Sequence, residues 1–278
     1  MTVAGAAAVG VTASNGTAEA GVLTGGCATS DWPAATDDRI EIDGNSPVER
    51  GEIPAWGDLV IYVHGLFGDD LLDSIDINGA NQAAALDQAL SEQGVHTPVV
   101  AAMWNSSTTW TVAKSRADSA GETLAQWLEA NRWRYGSVTL VAHSLGARVT
   151  LTALSELAGT GVTVDSVALL GGAVDPDTAC EDYYHGIETS VTGSVYNYHS
   201  GDDGIVCTVY AIREFGSAIG CNGSDCSGGW FSDDGELPTN FEDVDLTGDV
   251  TGHCNFLKPE SMDFDDESAV PDIIERQF

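Results

Sequence analysis

The segment Val141-Ala142-His143-Ser144-Leu145-Gly146-Ala147 constrains this chain more than any other. The apolar run Ser137–Ala142 before it predicts a strand, and Leu145–Leu157 after it spaces its apolar residues as a helix. A serine at that junction stands on a sharp strand-to-helix turn, with a strained backbone and an exposed hydroxyl oxygen. The turn closes only if the residues two before and two after the serine are small. Ala142 and Gly146 meet that requirement, with Ala142 a mild departure from the glycine usual at both places. Ser144 is therefore a candidate nucleophile.

The surrounding elements suit such a turn. Asp58–Val63, Pro98–Trp104, Val164–Leu170 and Ser194–His199 are further apolar runs that predict buried strands, while Ala80–Gln93 and Thr111–Arg132 have helical spacing. Continuous apolar runs alternating with amphipathic helices indicate an α/β fold, a mostly parallel sheet covered on both faces. Gly216–Gly252 has neither period and is crowded with Gly, Ser and Asp, so it is expected to be a long loop. Three regions follow: residues 1–20, an export-signal remnant or tail; 21–56, an acidic lead-in; and 57–278, one catalytic domain.

From roughly Asp58 to Phe256 the chain resembles the α/β-hydrolase superfamily, and its lipase and esterase members in particular. The turn at Ser144 carries the resemblance together with His64-Gly65-Leu66-Phe67-Gly68 after the first strong strand. The resemblance implies an oxyanion hole made by the backbone N–H groups of Leu66 and Leu145, with His64 shaping the turn. Two fixed donors aimed at a developing oxyanion contribute roughly 3 kcal/mol each. The family order places the acid next and then the histidine. Asp203, in the loop Ser200-Gly201-Asp202-Asp203-Gly204 after a late strand, takes the matching acid position, with Asp202 and Asp175 as alternatives. His253 is the expected base, since His185 and His199 both precede that acid; His143 and His96 read as a packing and a surface residue. The implied activity is hydrolysis of a carboxylic ester, small-molecule or lipid, through an acyl-enzyme. Gly171–Thr192, where many relatives insert a lid, is too short for a large cap domain.

Composition adds the setting. There are 43 Asp and Glu against 10 Lys and Arg, a formal charge of −33. Only Lys114 and Lys258 are lysines. That excess opposes compaction in dilute buffer and excludes nucleic acid as a partner. It resembles the composition of proteins from extreme halophiles, for which a Debye length of roughly 3 Å at 1 M salt relieves the repulsion. The small apolar stretch Thr2–Val11 and the ending Ala18-Glu19-Ala20 suggest an export signal lacking its basic start, hence a secreted or cell-surface protein. Cys27 after Thr24-Gly25-Gly26 is a loose lipidation match. No stretch of 18 apolar residues predicts a membrane span. Six cysteines, Cys27, Cys180, Cys207, Cys221, Cys226 and Cys254, suit an exported chain, with Cys221–Cys226 the expected bridge. Asp243, Asp245 and Asp249 have the alternate spacing of the start of a calcium loop, but Cys254 occupies the place of its last acid. No other cofactor is expected, and a monomer is. The competing readings are an acyltransferase or thioesterase using the same triad, and a non-catalytic surface protein that keeps the fold.

Overall fold

A computed structural model describes residues 32–66, 79–227, 235–262 and 267–278. The export-like segment, Cys27, Phe67 and Gly68 lie outside the described residues.

The predicted apolar runs form the middle of one sheet. They are β3 (Gly57–Val63), β4 (Val99–Met103), β5 (Tyr135–His143), β6 (Ser166–Leu170) and β7 (Val195–His199). β4 and β6 are buried at every position, as strands covered on both faces must be. Alternate residues face opposite ways. Leu59, Ile61, Val63, Leu140 and Ala142 join one apolar cluster, and Val60, Tyr62, Val141 and Ala168 join the other. The first cluster is closed by α2 (Trp110–Asn131) and α3 (Gly146–Leu157), through Leu124, Trp127, Val149 and Leu151. The second is closed by α1 (Gly79–Glu92) and α7 (Val270–Gln277), through Ala83, Leu86, Leu90 and Ile273. These helices cover both faces of the sheet.

With β1 (Arg39–Glu41), β2 (Val48–Arg50) and β8 (Phe241–Asp245), the described sheet has eight strands in the order β2-β1-β4-β3-β5-β6-β7-β8, all parallel except β2. This is an α/β-hydrolase fold. Two of its edges come from places the composition set aside. β1 (Arg39–Glu41) and β2 (Val48–Arg50), within the acidic lead-in, pair onto β4 and onto each other, so that part of the lead-in belongs to the sheet. β8 (Phe241–Asp245) arises inside Gly216–Gly252 and pairs along the full length of β7. Its sequence FEDVD shows little apolar pattern, because an edge strand can turn charged side chains to water. The same segment also contains the one-turn helix α6 (Ile219–Asn222), which follows the equally short α5 (Ala211–Glu214). Between β6 and β7, Gly171–Thr192 contributes only the short helix α4 (Tyr184–Ser190). Among the described residues, no helix is long and apolar enough to cross a membrane.

Candidate active site

Parallel strands that end together put their carboxyl ends, and the loops leaving them, on one side of the sheet. The candidate residues all sit there.

Ser144 follows β5 and has φ 56°, one of two non-glycine residues with positive φ among the described residues. That conformation costs about 1–3 kcal/mol and persists only where its surroundings impose it. Here they do. The Ser144 N–H donates to the Leu170 carbonyl at 2.9 Å, and its own carbonyl accepts from Ala147 (3.1 Å) and Ala173 (3.0 Å). The small neighbours are equally needed. A Cβ on Gly146 would stand 2.3 Å from the Val63 carbonyl oxygen, and one on Gly65 would stand 2.6 Å from the Ser144 Cβ. Ala142 is completely buried, so its methyl is accommodated but little more would be.

The loop after β7 contributes Asp203, fully buried, and the turn after β8 contributes His253, 6% exposed. His253 Nδ1 lies 2.6 Å from Asp203 Oδ2. The other carboxylate oxygen accepts the backbone N–H groups of Ile205 (3.1 Å) and Val206 (3.0 Å). Burial by itself raises the Asp203 pKa. The His253 charge and hydrogen bond, with the Val206 N–H, outweigh it and hold the carboxyl below its ordinary value. The other acids are engaged elsewhere: Asp202 accepts the Gly248 N–H at 3.0 Å, and Asp175 accepts the Tyr210 hydroxyl at 2.7 Å. His96 and His185 are exposed, and His199 Nδ1 is 3.9 Å from Asp245.

Leu145 is fully buried behind Ser144, and Leu66 is partly buried against the core. The turn before Leu66 is held by His64, which is completely buried. Its Nε2 accepts the Trp104 N–H (3.1 Å), so its proton sits on Nδ1, which donates to the Gly65 carbonyl (2.8 Å). The two rings stack with centroids 5.5 Å apart, and the Trp104 indole N–H returns to the His64 carbonyl at 2.9 Å. His143 is buried too, and its Nε2 lies 2.6 Å from the His253 carbonyl oxygen. Burial pushes its pKa down to about 3, with the His253 charge adding to the effect.

Gly171, at the end of β6, was not singled out from the sequence. It has φ 53°, and a Cβ there would stand 3.0 Å from Asp203 Oδ2 and 3.3 Å from His253 Nδ1. Only glycine leaves room for that pair, and the Gly171-Gly172 doublet at a strand end was the available signal. Gly220 packs directly on it, where a Cβ would meet the Gly171 carbonyl carbon at 2.1 Å.

Cysteine pairing differs from the expectation. Cys221 is joined to Cys207, with Cα atoms 5.1 Å apart, and Cys226 to Cys180, with Cα atoms 5.7 Å apart. Cys254 is also disulfide-bonded. Cys221 and Cys226 do not meet because Gly223, with φ 79°, ends α6, and the Asp225 N–H is drawn to the Pro176 carbonyl at 2.9 Å. That carries Cys226 away from α6. The Cys207–Cys221 bridge ties the acid loop to the segment packed on Gly171. The calcium spacing also meets a different structure. Asp243 and Asp245 stand on β8; Asp243 accepts from Asn197 (2.7 Å) and the Ser224 hydroxyl, and Asp245 from the Thr247 N–H (2.9 Å). Asp249 follows in the turn after it, outside the strand. Among the described residues, no group of three or more His, Cys, Asp or Glu is placed to hold a metal ion.

Comparison with known proteins gives remote structural likenesses and one family. The Butyrivibrio proteoclasticus protein Est1E is 14% identical, over 72% of this chain and 82% of that one, with a TM-score of 0.39. A Pyrobaculum calidifontis esterase is 13% identical, over 80% and 79%, with a TM-score of 0.41. The rice (Oryza sativa subsp. japonica) protein described as transmembrane and coiled-coil domain-containing protein STS1 is 31% identical over 152 residues, 53% of this chain. The match spans only 21% of that relative's length. Residues 86–261, more than half of the chain, match the family described as "Protein of unknown function (DUF726)", and the chain belongs to that family.

Proposed function

We propose that the chain is a serine hydrolase that cleaves carboxylic esters through an acyl-enzyme. The observation that carries this reading is the buried Asp203–His253 pair, at 2.6 Å, on the same side of the sheet as the strained Ser144. A buried carboxylate on the Nδ1 side of an imidazole leaves Nε2 unprotonated and basic. His253 takes the Ser144 proton as the serine oxygen attacks the ester carbonyl. The Leu66 and Leu145 N–H groups receive the oxyanion, and Asp203 stabilises the imidazolium formed. His253 then protonates the departing alkoxide, and water repeats the sequence to release the acid.

A fluorophosphonate, which phosphonylates only activated serines, tests the nucleophile. p-Nitrophenyl esters of graded acyl length in molar salt test the reaction. Labelling at Ser144 with turnover of at least one ester is expected. Turnover without labelling at Ser144, or neither, refutes the proposal. The acidic composition supports an enzyme that works in high salt, the export-like start and the six cysteines support a secreted or cell-surface one, and the reading takes it to be a monomer acting on a small or lipid ester.

A further inference from the structure

We propose that His143 is a positioning residue for this hydrolysis: its Nε2–H, donated to the His253 carbonyl, fastens the turn carrying the proton-transfer histidine to the strand carrying the nucleophile. The inference rests on the serine-hydrolase reading above. His143 is the last residue of β5, bonded directly to Ser144, so its place is set by the same strand that sets the serine. His253 arrives from far along the chain, on a turn between β8 and the 3-10 turn Asn255–Leu257. The Asp203 bond orients the His253 ring but does not locate its backbone relative to Ser144. The bond of 2.6 Å from His143 does, because a carbonyl can only accept and the ring nitrogen must donate. The two rings also lie 4.4 Å apart at 46°.

The donor is well suited to this place. Asp203, His253 and His64 are the charged or titratable groups that act on the His143 ring. Burial and the neighbouring His253 keep the ring neutral, with its pKa down at about 3. When His253 becomes an imidazolium during turnover, it has Asp203 on one side and an uncharged ring on the other. A protonated ring 4.4 Å away would oppose that step. A lysine or arginine could supply the donor only by bringing such a charge.

The test uses two variants. His143→Phe keeps the ring volume and removes the donor, while His143→Gln places an amide N–H near the position of Nε2. Because a misplacement of about 1 Å can cost about 10²-fold, His143→Phe should lower kcat on p-nitrophenyl esters by roughly 10- to 100-fold. It should leave KM within about threefold and slow fluorophosphonate labelling in parallel. His143→Gln should recover most of the loss. Proton NMR offers a readout that needs no turnover. The low-field resonance of the His253–Asp203 hydrogen bond should shift or broaden in His143→Phe and return in His143→Gln. An unchanged resonance in His143→Phe overturns the proposal, even if the wild-type protein cleaves no ester. So does a kcat equal to the wild type in the folded fraction of His143→Phe, or equal damage from both variants. Absence of wild-type labelling and turnover, with the NMR response intact, would instead refute only the hydrolase reading.

Discussion

Replacing Asp203 by Asn perturbs one proton and almost nothing else, and the structure dictates how. The side chains are nearly isosteric, and the site is fully buried. Asp203 Oδ1 accepts two backbone N–H groups, from Ile205 and Val206. An asparagine must keep its carbonyl oxygen there, since turning its NH2 toward two donors would leave all of them buried and unpaired. Its NH2 is then forced against His253 Nδ1, now required to accept. The imidazole proton moves to Nε2, and the ring can no longer take a proton from Ser144. Loss of about 10⁴ in kcat is expected, or roughly 5.5 kcal/mol at 1.36 kcal/mol per decade. Initial rates on p-nitrophenyl butyrate in molar salt measure it, with melting temperature as the check on folding. Asp202→Asn and Asp175→Asn, whose carboxylates serve Gly248 and Tyr210, should stay within about tenfold of the wild type. An Asp203→Asn rate within tenfold of the wild type, or a larger loss at Asp175, would refute the reasoning. The carboxylate has a second effect, on acid stability. Its folded pKa lies below the unfolded value of about 3.9, so its contribution is complete above that pH and is lost as pH falls through the folded value.

Three further outcomes are expected. Ser144→Ala should remove nearly all ester hydrolysis, on the order of 10⁶-fold, while keeping the fold, since alanine satisfies the same tight approach to Gly65. Activity near the wild-type level would move the nucleophile elsewhere. Mass spectrometry of a non-reduced digest should recover Cys207 linked to Cys221 and Cys180 linked to Cys226; a Cys221–Cys226 peptide would contradict the structure. Circular dichroism melts in sodium chloride should rise steeply from dilute to molar salt, as the Debye length falls from about 30 Å at 0.01 M to roughly 3 Å at 1 M. An unchanged melting temperature would mean that a charge of −33 does not oppose folding here.

The sequence by itself determined the middle of the molecule. β3 to β7 and the helices α1, α2 and α3 are legible because a strand covered on both faces must be apolar throughout, and its flanking helices must carry one apolar side. The turn at Ser144 is legible because its strain tolerates only small neighbours, which appear as Ala142 and Gly146. Asp203 and His253 could be named through the resemblance to the α/β-hydrolases, whose order is serine, acid, histidine, with Asp202 and Asp175 left as alternatives. Tertiary structure alone decided which carboxylate meets His253, since three aspartates stood near strand ends and only the folded loops choose between them. It also decided the sheet edges. β1, β2 and β8 are short, carry few apolar residues, and owe their conformation to the strand beside each. The disulfides, the glycine at 171 and the partner of His143 belong to the same class. Each depends on the approach of residues distant in the chain, as Cys180 to Cys226 or His143 to His253, and such approaches leave no local period in a sequence.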